Sequence, residues 1–182
     1  MPEDSETLIR AGEKGTFDDP FRMFAIIQGI TDSPEAVGLA TKATVEEFAE
    51  DGVRYLELRS TPRAVAGRMT REQYCTAILD QLMVTREDIR VKLLLAIDRR
   101  RLEDMEDTVN LYRKLSPLYP GLLAGLDISG DARVGDITPL VPRLGQLRQE
   151  GIRLAVHLAE IPNTEEVAAL LDFQPDRIGQ LF

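Results

Sequence analysis

With 182 residues, 43% of them hydrophobic, the chain can bury a core in one domain, which excludes a disordered or low-complexity polymer. Its formal net charge of −9, from 31 acidic and 22 basic residues, argues against a surface that tracks nucleic acid, which needs a basic stripe. A small anionic ligand stays open, because a single arginine in a pocket is enough to hold one.

The stretch MPEDSETLIRAGEKG is polar and acidic, unlike a secretory or transit segment, and residues 1–15 are expected to form a mobile tail ahead of a domain over 16–182. Asp19-Pro20 begins a helical pattern carried by Phe21, Phe24, Ile27 and Ile30. Ser33-Pro34 begins a second, running to about Asp51, where Gly52 supplies a stop. The period then changes. Val53–Leu58 is β-like, Thr70–Met83 helical, and Val91–Ile97 a near-continuous apolar run of the kind buried on both faces of a parallel sheet. Cys75, alone in the chain, lies in that helical stretch, reads as a small buried side chain and fits a reducing compartment. Leu102–Leu115 is helical, Leu122–Ile128 a strand, Pro139–Glu150 a helix stopped by Gly151, and Arg153–Leu158 a strand. Thr164–Leu171, capped by Asn163 or Thr164, and a short strand Arg177–Gly179 complete the order. No apolar run reaches membrane-spanning length, so a cytoplasmic protein that neither enters membranes nor binds nucleic acid is expected.

Alternating strands and helices imply βαβ units on a parallel sheet, in which chemistry gathers at the carboxyl ends of the strands. Those ends read Arg59-Ser-Thr-Pro-Arg63, Asp98-Arg-Arg-Arg101, Asp127-Ile-Ser-Gly-Asp131, His157-Leu-Ala-Glu160 and Gly179-Gln180. Taken singly, each has a plain reading: Asp98 and Asp131 form caps or turns, Arg99–Arg101 is a solvated run, and Glu57 is a buried ion-pair partner. His157, the only histidine, is by itself more often a hydrogen-bonded core or rim residue than a ligand. Recurrence of polar residues at successive ends suggests a shared pocket rim.

Val53–Arg63, Ala96–Arg100, Gly125–Asp131, His157–Asn163 and Pro175–Gly179 together resemble, in order, the adenosine deaminase superfamily. Arg-Ser-Thr-Pro-Arg and Glu-Ile-Pro-Asn look like its N(6)-methyl-AMP deaminase branch. The resemblance implies a metal-dependent hydrolase on a TIM barrel, of which this chain would supply about strands 2–6 of eight: an α/β, partial parallel barrel. It implies His157 as one ligand of a single zinc ion, and Glu160 as the acid that protonates the purine ring nitrogen while hydroxide attacks C6. By the same resemblance Gly130 meets the purine ring through its backbone, and Thr61, Pro62, Arg63 and Asp98 contact substrate. The fork of Arg63 suits a 5′-phosphate.

Relatives carry a His-x-His strand and an Asp-pair strand that have no counterpart here, and where they have Ile-Gly-His-Gly this chain has Ile178-Gly179-Gln180-Leu181. A neutral amide at Gln180 cannot take a proton from water, and Gln28 stands where some relatives have a pocket histidine. The resemblance therefore implies a truncated or alternatively spliced form that loses most of the zinc ligands, exposes sheet edges prone to self-association, and is inactive alone. The function implied for the family is deamination of an N(6)-substituted purine nucleotide to IMP and an amine. The alternatives are a catalytically dead form that binds nucleotide weakly or pairs with a full-length copy, an unstable product without activity, and an unrelated flavodoxin-like or barrel fragment with an anion site.

Overall fold

The computed structural model describes residues 19–84 and 87–179; the expected tail over 1–15 and the Gln180 position lie outside the described residues. Helices α1 (Asp19–Ile30) and α2 (Pro34–Glu50) come first. The hydroxyl of Ser33 accepts the Ala36 amide at 3.2 Å, closing the first turn of α2, and Pro34 opens the helix where no amide is needed. Beyond it the order is β1 (Tyr55–Ser60), α3 (Arg71–Met83), β2 (Arg90–Asp98), α4 (Met105–Leu115), β3 (Leu123–Ser129), α5 (Val141–Gln149), β4 (Leu154–Val156), α6 (Thr164–Phe173) and β5 (Arg177–Ile178). Five parallel strands pair in sequence order and curl into a half-barrel. The expected five-stranded partial barrel is what the chain forms.

Alternation along each strand sorts the two faces. Leu93, Leu95, Ile97, Leu126, Ile128, Leu154 and Val156 enter the core beneath the helices, together with Leu79, Val109, Leu144 and Leu170. Glu57, Arg59, Leu94, Ala96, Asp127, Ala155 and His157 alternate with that set and face the lumen. The sheet bends tightly enough for its two outermost strands to touch across this lumen, where Arg177 of β5 donates to Glu57 of β1 at 2.7 Å. Glu57 is thus the ion-pair partner its place in an apolar strand suggests.

Four expectations need correction. The helix expected over Leu102–Leu115 opens with a 3₁₀ turn at Leu102–Asp104, and that over Pro139–Glu150 with one at Thr138–Leu140; tight turns of this kind are common at helix starts. The strand expected over Arg153–Leu158 shrinks to Leu154–Val156, because the chain leaves the sheet at His157 and Ala159 turns it through a left-handed φ of 59°. The basic run at 99–101 is not solvated throughout: Arg99 is 5% exposed and buried against Glu166, while Arg100 and Arg101 remain at the surface.

Candidate active site

His157 follows β4 directly, its amide donating to the Ile128 carbonyl of β3 at 2.9 Å. The left-handed turn at Ala159 brings Glu160 back over the ring, and Nδ1 lies 2.8 Å from Glu160 Oε1. Gly179, at the end of β5, packs against the other side. A Cβ there would stand 2.5 Å from Nε2, so a side chain cannot enter without displacing the imidazole. Nε2 faces the Arg59 guanidinium from β1. Both Arg59 and Nε2 stand 3.7 Å from Asp127 Oδ1, a buried oxygen with no hydrogen-bond partner among the described residues. Burial pushes the Asp127 carboxyl up from its ordinary range, against the opposing pull of His157 and Arg59.

Asp98 and Gly130 form a second group. Gly130 holds φ +118°, and a Cβ there would lie 2.6 Å from Asp98 Oδ1, so the two loops approach as closely as they do only because this position has no side chain. Asp98 Oδ1 accepts the Arg100 amide at 2.9 Å, and its other oxygen accepts from the Arg100 guanidinium at 2.6 Å. Burial alone would raise this carboxyl, but the Arg100 hydrogen bonds outweigh it and hold it below its ordinary value. Asp131 repeats the turn with Arg133. Both aspartates therefore perform the turn role expected of them from sequence.

Thr61, Pro62 and Arg63 follow β1, with Pro62 buried and Thr61 exposed. Arg63 donates to the carbonyl and to the hydroxyl of Thr31 beyond α1, and its guanidinium lies 5.2 Å from the Tyr74 ring centre. Tyr74 is fixed in turn by Ser60, whose Oγ is 2.6 Å from its hydroxyl. The fork of Arg63 is thus spread over the rim and held in place by neighbours on two elements.

The donors present do not fit a catalytic zinc ion. Such a site takes three protein ligands with one position open. This chain has one histidine, and among the described residues no group of three or more His, Cys, Asp or Glu side chains is placed to hold a metal. The imidazole nitrogen turned away from Glu160 is occupied by the Arg59 guanidinium, whose charge opposes a second cation. Cys75 offers no substitute, since burial pushes its thiol up to about 12.

The strand-end pattern places His157, Glu160, Asp98 and Gly130 on one rim, and the family resemblance gives them their roles. Arg59 and Asp127 lie in the same strand-end stretches but receive no role from either signal. A carboxylate inside Leu126-Asp127-Ile128, where an all-parallel strand should be apolar, was the available signal.

The adenosine deaminase family model matches residues 1–180. The chain belongs to the adenosine deaminase family. It is 44% identical over 178 residues to a Xenopus laevis protein named N6-methyl-AMP deaminase-L, covering 95% of this chain and 51% of that protein. It is 42% identical over 182 residues to the human N6-methyl-AMP deaminase, covering 97% of this chain and 51% of the other. The half-barrel superposes on the crystal structure of Arabidopsis ADAL complexed with IMP with a TM-score of 0.84 at 32% identity, covering 97% of this chain and 55% of that one. The chain spans about half the length of the curated relatives it matches.

Proposed function

We propose that the chain carries the purine-recognising, proton-donating half of an N(6)-substituted purine nucleotide deaminase site, and that alone it binds nucleotide weakly without turning it over. The observation that carries this reading is the His157–Glu160 pair, held at 2.8 Å on the rim that also bears Asp98, Gly130 and Thr61–Arg63. Glu160 is the group set to pass a proton to a purine ring nitrogen, and the backbone of Gly130 faces the base. Thr61, Pro62 and Asp98 line the substrate side, and Arg63 reaches a 5′-phosphate by exchanging its bonds to Thr31 for charge-assisted ones.

The hydrolytic step in the family depends on a metal, which supplies hydroxide near neutral pH. By resemblance His157 would be one ligand of that set, and the donors described here do not complete it. A relative crystallised with IMP supports a purine monophosphate as the ligand class. No helix among the described residues is long and apolar enough to cross a membrane.

The test is an IMP titration and IMP formation from N(6)-methyl-AMP by the purified chain with added zinc, alongside Glu160→Gln and a bound-metal assay. The expected result is saturable IMP binding without turnover and with less than stoichiometric zinc. Turnover abolished by Glu160→Gln would overturn the inactivity, and absence of any nucleotide binding would overturn the binding role.

A further inference from the structure

Asp98, Gly130 and Glu160 sit in three separate loops, and one buried ion pair is tied to all of them. Arg99 follows Asp98 directly, and its amide donates to the Ser129 carbonyl, next to Gly130, at 2.8 Å. Its Nε reaches the carbonyls of Val134 at 3.0 Å and Gly135 at 3.2 Å in the loop after β3. Its two terminal nitrogens fork onto Glu166 of α6 at 3.1 and 2.7 Å. Glu166 also accepts the Ile137 amide at 3.3 Å, while its own amide is capped by Asn163 at 3.2 Å, three residues past Glu160. Gly135 completes the fit: at φ +76° a Cβ would stand 2.4 Å from the Arg99 carbonyl.

Both side chains are close to fully buried, at 5% and 6% exposed. Removing two charges from water costs what their attraction returns, so a pair of this kind adds little to stability compared with an apolar replacement of similar volume. What it provides is directional. A guanidinium held at once by Glu166 and by the Val134 and Gly135 carbonyls permits one relative placement of the strand end, the loop and the helix.

We infer that Arg99 and Glu166 are positioning residues, which set the loops of Asp98, Gly130 and Glu160 in the arrangement that receives a purine nucleotide. The inference rests on the functional reading above. The surface pairs of this protein, such as Arg113–Glu150, are two-fifths exposed and impose no such geometry.

The test replaces the pair by Arg99→Met with Glu166→Leu and follows backbone amide resonances together with IMP titration. The double variant is expected to remain folded, with its unfolding midpoint shifted by only a few degrees. Its Gly130 and Glu160 resonances should move and broaden, and IMP should bind about tenfold more weakly. Arg99→Lys, which keeps the charge and loses the fork, should not restore either signal. Unmoved Gly130 and Glu160 resonances, or wild-type IMP affinity, would overturn the inference. If the double variant unfolds, Glu166→Gln applies the same criteria with the shape preserved. If the unaltered chain binds no IMP, the functional reading fails, and the amide resonances alone still decide the positioning.

Discussion

At the scale of single residues, Asp98 and Asp131 on the rim are each matched to the arginine two places on. Asp131 is the clearest case, since the Arg133 hydrogen bonds hold its carboxyl down at about 2 against an ordinary 3.8. A depressed folded value means that its contribution is complete above the ordinary value and is lost as the pH falls through about 2. Asp131→Asn should therefore flatten the acid limb of stability between roughly pH 4 and 2 relative to the unaltered chain, read by denaturant titration at a series of pH values. The sequence makes His157 and Glu160 legible, because a lone imidazole after an apolar strand is conspicuous and a carboxylate three places on can return to it. Arg99 is not legible: in a run of three arginines nothing local says which one turns inward. Its burial depends on Glu166, 67 positions away.

At the scale of elements, strand existence and order follow directly from the apolar runs, while their ends do not. β4 is three residues long where six were expected, because the signal for a strand is carried by side-chain pattern and its end by a backbone turn at Ala159. The contact between β3 and the start of β4 is set by Gly125, whose φ of +154° leaves room for the Arg153 carbonyl. A Cβ would approach that oxygen to 2.2 Å, and a backbone atom cannot swing aside as a side-chain end can. Gly125→Ala should cost roughly 2–4 kcal/mol in chemical denaturation, through strain and displaced pairing. A loss under about 0.5 kcal/mol would mean the two strands can separate there without penalty.

At the scale of the whole molecule, an open sheet keeps the curvature of a closed one. The Glu57–Arg177 pair is partly exposed, with Arg177 at 40%, so its loss should lower global stability by less than about 1 kcal/mol. Its local effect should be larger. Glu57→Gln is expected to speed amide exchange at Gly179, which is bonded to the Val156 carbonyl at 3.0 Å, while leaving β3 amides unchanged. Equal acceleration in β3 would show that the pair supports the entire sheet instead of its last strand.

The two partners of that pair are 120 positions apart in the chain. Every strand pairing in the sheet joins neighbours in sequence, each needing only one helix to intervene, so the flat arrangement can assemble stepwise as the chain leaves the ribosome. The contact across the lumen is different, since partners so far apart in the chain carry the entropy of a long closure. The lumen-spanning contact is therefore expected to form after the strand pairings it bridges, so the first strand is the one whose partner across the lumen arrives latest.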